Sequence, residues 1–240
     1  MYPQLQMISR RRFLVITGAA VAVPRFAQRV PDVPALLDHI LLGCNDLEPG
    51  VDYVEQHTGV RAAFGGVHPG RGTQNALLAL GERRYLEIIA PDPQQNVSER
   101  QDSFKTLAEP RLIGWAAHPG NLEEFAAKLR ANGVAFAGPQ PGSRRRPDGR
   151  VLSWKTVNLK DDHGGLLPFF IEWSADSVHP SVDAPKGCAL LRFVVATPEQ
   201  EDLLHAAKLA DLDLRVDLSD KPSMRATISG PKGELALSSL

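Results

Sequence analysis

The sequence predicts an α+β fold of paired βαβββ modules followed by a shorter C-terminal third module. Three observations carry this. The order strand, helix, strands runs twice along the chain. The two helix starts match, Asp46-Leu47 with Asn121-Leu122. The strand Tyr85-Leu86-Glu87 is matched by Phe170-Ile171-Glu172. Units that recur in this way bury one face each against a neighbour, so the copies are expected to share a core.

The elements follow in order. Leu36 to Leu42 is an apolar run holding one acid and one histidine, and it reads as a strand. Asp46 is placed to cap a helix that runs to about His57, before Thr58-Gly59. Gly65 to Gly70 reads as a Gly-rich loop carrying His68. Thr73 to Leu80 and Arg84 to Ala90 form a hairpin around Gly81-Glu82, and Pro91 and Pro93 stop it. The second module begins with the strand Leu112 to Ala117. Its helix opens at Asn121 and ends at Asn132-Gly133. A short strand, Val134 to Ala137, precedes the turn Pro147-Asp148-Gly149 and the strands Val151 to Leu159 and Leu167 to Trp173. The third copy has a strand from Ala189 to Ala196 and a helix from Pro198 to Leu209. A hairpin around Gly230-Pro231-Lys232-Gly233 completes it. The modules are bounded at 31–110, 111–185 and 186–240, with 36–240 acting as one domain.

Residues 1–30 read as an address. Ser9-Arg10-Arg11-Arg12-Phe13-Leu14 precedes a short apolar stretch to Val23. A basic segment before such a stretch is the pattern of a secretory signal, and the stretch is too short to span a bilayer. The paired arginines resemble a twin-arginine export signal. The precursor would then meet the twin-arginine export machinery, and the mature protein would be periplasmic or extracellular.

Composition narrows the function classes. Of 240 residues, 43% are hydrophobic and 23% charged, as in ordinary soluble domains. A net charge of -1 gives no basic excess to neutralise phosphates, so no nucleic-acid partner is expected. The two cysteines, Cys44 and Cys188, form no C-x-x-C pair, which speaks against a cysteine zinc site. Two independent buried thiols or a single disulfide both remain open.

The phrases Leu37-Asp38-His39-Ile40, Gly72-Thr73-Gln74-Asn75, Tyr85-Leu86-Glu87-Ile88-Ile89-Ala90-Pro91 and Leu167-Pro168-Phe169-Phe170-Ile171-Glu172-Trp173 occur together. In combination they resemble the glyoxalase-like domain family of the vicinal oxygen chelate superfamily, over about residues 36–240. The resemblance implies a curved β-sheet cup, with metal ligands on the first and last strands of the modules. The ligands implied here are His39, Glu87 and Glu172. A divalent cation would offset the cost of burying two carboxylates among apolar neighbours. Zinc, iron, manganese, cobalt and nickel all suit such a set. By strand alternation His39 shares a face with Leu37 and Leu41, and Glu87 with Tyr85 and Ile89. The position matching His39 in the second module is Gly114, which has no ligating side chain.

The remaining candidates line the cup. Gln74 and Asn75 would orient a polar substrate, Trp154 would supply an apolar wall, and Arg144 would clamp an anionic group. The reading is a metal-dependent enzyme of isomerase or lyase type, with Glu87 or Glu172 moving a proton on a small substrate with vicinal oxygens. The rival is an exported protein that binds or sequesters a small molecule in the same cup. A homodimer is compatible with either.

Overall fold

The computed structural model describes residues 31–95, 103–146 and 148–240. Residues 1–30, where an export signal with Arg10 and Arg11 is expected, and Pro147, expected in a turn, lie outside them.

Eight strands close into one mixed barrel. In chain order they are β1 (Leu37–Gly43), β2 (Ala63–His68), β3 (Thr73–Ala79), β4 (Tyr85–Pro91), β5 (Arg111–Ala117), β6 (Phe136–Arg145), β7 (Val151–Leu159) and β8 (Phe169–Trp173). Around the barrel the order is β1-β4-β3-β2-β6-β7-β8-β5. β1 runs parallel to β4, and β5 runs parallel to β8. Two seams join the strands of the first half to those of the second. At one, β1 and β5 pair antiparallel from Leu37↔Ala117 to Gly43↔Arg111. At the other, β2 meets β6 through the pair Val67↔Arg145.

Two helices cover the outside. α1 (Leu47–Thr58) starts at Asp46, whose carboxylate accepts from Glu48 N at 3.3 Å. It stops at Gly59, in the left-handed region at φ 81°, where the Gly59 N–H reaches Glu55 O. α2 (Leu122–Ala131) starts at Asn121, which accepts from Glu123 N and Glu124 N, both at 3.0 Å. The buried stripes Leu47, Val51, Val54 and Leu122, Phe125, Ala126, Leu129 pack onto the barrel wall. Phe125 meets Phe170 with ring centroids 4.3 Å apart. Full burial of such side chains contributes about 1.5–3 kcal/mol each.

A second sheet, ordered β10-β9-β11-β12, follows after the short helix α3 (Pro180–Asp183). Its strands are β9 (Ala189–Thr197), β10 (Val216–Leu218), β11 (Ser223–Gly230) and β12 (Gly233–Ser238), with α4 (Gln200–Leu209) after β9. One apolar core runs from β1, β4, β5 and β8 through the helices into this sheet, where Phe193 lies 5.1 Å from Trp115.

Two readings need correction, and the choice left open for the cysteines is settled. Residues 63–68 form β2, so Gly65, Gly66 and His68 lie on a strand and not in a loop. The strand expected at Val134 to Ala137 runs instead from Phe136 to Arg145 and carries Arg144 into the barrel. Cys44 and Cys188 are free and buried, so no disulfide forms.

Candidate active site

The cup is a cavity of about 370 Å³ inside the barrel. Alternation along the strands sends Leu42, Leu86, Ile88 and Phe170 outward to the shared core. It sends Leu41, Tyr85, Glu87, Ile89 and Ile171 inward. Two β-bulges break that rule where chemistry gathers.

The first bulge is in β1. Leu37 pairs with Ala117 and His39 with Ala116, so Asp38 is one residue too many. The inserted residue turns Leu37 out to the core and leaves His39 lining the cavity; Leu37 and His39 do not share a face. Asp38 is fully buried, and His39 Nδ1 lies 2.7 Å from its Oδ1. Its Oδ2 accepts from Trp173 Nε1 at 3.3 Å and faces His179 Nε2 at 3.1 Å. His179 Nδ1 accepts the Ser181 N–H at 3.2 Å, so Nε2 is the nitrogen that donates to Asp38. Burial pushes the Asp38 carboxyl up, yet its bonds to His179 and His39 and their charges hold it well below the usual carboxylate range. An ionised Asp38 bound to Nδ1 fixes the orientation of the His39 ring. Nε2 is then the nitrogen turned to the cavity and to Glu87.

The second bulge is in β2, where Phe64 pairs with Ala76 and Gly66 with Asn75, leaving Gly65 as the extra residue. Across it lies a buried polar chain. Asn75 Nδ2 donates to Glu87 Oε1 at 2.6 Å, and Arg144 Nη1 donates to Asn75 Oδ1 at 2.6 Å. His68 Nε2 approaches the same Glu87 oxygen at 3.7 Å, and His68 Nδ1 lies 2.9 Å from Thr73 Oγ1. His39 Nε2 faces the other Glu87 oxygen at 3.6 Å. Burial pushes the Glu87 carboxyl up, but His68, His39, the Asn75 hydrogen bond and Arg144 together bring it below its ordinary value. Glu87 is therefore ionised beside His39 Nε2.

Of the expected site residues, His39, Glu87, Asn75, Arg144 and Trp154 all line this cavity. Arg144 is 3% exposed, a buried group and not a solvated one. Gln74 and Glu172 are elsewhere. Gln74 points to the opposite face of β3 and donates to Pro91 O at 3.1 Å. Glu172 lies on the outward face of β8, where it accepts from Leu122 N at 2.5 Å, at the first turn of α2. A carboxylate there faces the positive end of the helix dipole. The ladders explain the error. Leu41 pairs with Glu87, and its counterpart Ala116 pairs with Phe169. Phe169, not Glu172, takes the place of Glu87 in the second half, and a one-residue slip puts a strand side chain on the other face. Tyr85, His68, Asp38 and His179 were missed as site residues. An acid in an otherwise apolar run signalled Asp38; nothing in the sequence signalled His179.

The metal reading meets this geometry directly. His39 Nε2 and Glu87 Oε2 offer two donors, Glu172 is turned away, and Gly114 and Phe169 offer none. Among the described residues no three His, Cys, Asp or Glu side chains are grouped to hold a metal ion. The residues present do not make up the three-ligand set the resemblance implies.

A family model described as Glyoxalase-like domain matches residues 37–211. A hypothetical protein from Staphylococcus aureus is similar in structure, with 17% identity, 84% of each chain covered and a TM-score of 0.57. That likeness extends over the mixed α+β fold as a whole. Methylmalonyl-CoA epimerase from Mycobacterium tuberculosis is 20% identical, with 57% of this chain and 85% of that chain covered and a TM-score of 0.43. No curated protein matches the sequence.

Proposed function

The chain belongs to the glyoxalase-like domain family, and from that premise we propose that it is an enzyme that moves a proton on a small substrate with neighbouring oxygens. The observation that carries this is the facing pair His39 and Glu87. His39 Nε2 and Glu87 Oε2 stand 3.6 Å apart in the cup, and the imidazole is held from behind by an ionised Asp38. A histidine whose Nδ1–H is bound to a carboxylate presents its Nε2 as a base in fixed orientation.

In the reaction His39 Nε2 takes the proton from a carbon next to a carbonyl. The C–H electron pair moves into the new C=C bond, and the carbonyl π pair moves onto oxygen to give an enolate. Return of a proton to the same carbon gives the epimer; where that carbon carries a hydroxyl, transfer of the hydroxyl proton to the enolate oxygen and protonation of the neighbouring carbon give the isomer. Asp38 stabilises the imidazolium formed on the way, and Glu87 receives its Nε2 proton or hands one back. Superfamily members typically use a divalent metal. The zinc, iron, manganese, cobalt or nickel ion expected from the sequence finds two of its three expected ligands here, and no step above runs through it. With the export signal read in residues 1–30, this reaction would run outside the cytoplasm.

Proton exchange tests the reading whatever the product. The purified protein is incubated in D2O with a panel of small 2-oxo and 2-hydroxy acids, and loss of the α-proton signal is followed by NMR. The expected result is exchange on at least one compound, lowered about 100-fold or more in His39→Gln. Binding without exchange across the panel would overturn it and make the chain a small-molecule binding protein.

A further inference from the structure

We propose that Arg144 is the anchor for a carboxylate on the substrate, so that the ligand is a small 2-oxo or 2-hydroxy carboxylic acid with an apolar side group. The assignment of the carboxylate rests on the cavity alone. The placement of the reacting carbon at His39 rests on the function proposed above.

Arg144 is 3% exposed and has one hydrogen bond, from Nη1 to Asn75 Oδ1. Among the described residues no carboxylate pairs with it, and its other guanidinium N–H groups have no acceptor. Its neighbours behave differently. Arg146 pairs with Asp183 at 2.7 Å, and Arg145 donates to Gly149 O at 3.3 Å. The ionised Glu87 acts on Arg144 only from beyond Asn75, so the fork keeps N–H groups turned to the cavity that a ligand anion can bind directly. The backbone makes room for it. Gly65 is the bulged residue of β2, and a Cβ there would run into Arg144 Nη1 and Asn75 Oδ1.

Chemistry selects a carboxylate. The guanidinium is a planar fork that matches a carboxylate bidentately. Asn75 links Arg144 to the ionised Glu87, so a dianion would bring two further negative charges to one guanidinium where a carboxylate brings one. The Tyr85 hydroxyl lines the same cavity with no hydrogen bond to any described residue. Burial and the Asp38 and Glu87 charges raise its pKa, so it keeps its proton and serves as a further donor. Trp154, Trp173 and Phe169 form the facing wall and suit an apolar side group. At about 370 Å³ the cavity has room for a small acid.

The test compares acids with their amides. Mandelate, lactate, phenylpyruvate and 2-oxoisovalerate, each beside its amide, are titrated into the full chain and read by thermal shift and calorimetry. At least one acid should raise the melting temperature by mass action, with its amide binding 10-fold or more weaker. Arg144→Met should abolish that preference, bringing the affinity for the acid down to that for its amide. Arg144 acting only as a structural residue would change the melting temperature and leave the preference in place. Gly65→Ala, which keeps the charge but displaces the guanidinium, should weaken the same acid about 10-fold. Equal binding of acids and amides, an Arg144→Met protein that binds acids unchanged, or inorganic phosphate competing as well as the best acid would each overturn the proposal. Arg144-dependent binding with no C–H exchange would leave the anchor standing and remove the reaction proposed for His39.

Discussion

The two halves of the barrel line one cavity with opposite chemistry. The first half contributes His39, His68, Asn75, Tyr85 and Glu87, all buried and most joined by hydrogen bonds. Where the first half has Glu87 and Ile89 the second half sets Phe169 and Ile171, with Trp154 and Trp173 beside them and the more exposed Gln140, Thr156 and Asn158 at the rim. A similar strand order has thus been used once for reactivity and once for shape. The two bulges that aim functional groups inward, at Asp38 and Gly65, both lie in the first half. The exception is Arg144, a second-half residue that reaches across to Asn75.

If this division is real, substitutions in the two halves should fail differently. The largest effect is expected for Asp38→Asn. An amide oxygen cannot accept from His39, Trp173 and His179 together, and its NH2 would face donors. A loss of about 3 kcal/mol is expected in denaturant melts, together with slower exchange. The pH dependence has a definite sign. The Asp38 carboxyl is held below its ordinary value of 3.8 in the fold, so its stabilisation is present above about pH 4. That stabilisation is lost as the pH falls toward the folded pKa, and the acid limb of the wild-type stability curve should flatten in the variant.

Glu172→Gln should be milder and confined to stability. The carboxylate loses its charge at the start of α2 but the amide can still accept from Leu122 N, so a loss of about 0.5–1 kcal/mol is expected with exchange unchanged. Slower exchange in this variant would break the comparison, because it would place a second-half carboxylate in the chemistry. Gly114→Ala should be the smallest change. A Cβ there meets nothing within 4 Å and the backbone is not left-handed, so a gain of about 0.4–1 kcal/mol is expected from a less flexible unfolded chain. A thermal melt decides it, and a destabilised Gly114→Ala would show that this bare position of the second half is closely packed.

The sequence was readable wherever one local rule acted alone. The caps Asp46 and Asn121 stand where helix-start chemistry puts them, and strand β7 runs over Val151 to Leu159 as its pattern indicates. The resemblance pointed to Glu87 in the cup, and alternation, applied to the neighbours Gln74 and Asn75, would have kept only Asn75 there. Alternation misled at Leu37, because a bulge adds a residue without leaving a mark in the hydrophobic pattern, and the glycines at 65 and 66 disguised a bulged strand as a loop. Glu172 was misplaced because a match of residue types, Tyr-Leu-Glu against Phe-Ile-Glu, outweighed strand register, which only the ladder reveals. His179 joins Asp38 from 141 residues away, and no local rule reaches that far.

The two seams of the barrel are unequal, and this has a mechanical consequence. One carries a ladder along the whole length of β1 and β5; the other rests on the pair Val67 and Arg145. Breaking one rung costs less than breaking a row of them, so thermal opening of the ring concentrates at the β2–β6 side. That side holds Gly65 and Arg144. The barrel behaves like a bracelet with a stout hinge and a light clasp, and the cation that would greet an anion is set into the clasp.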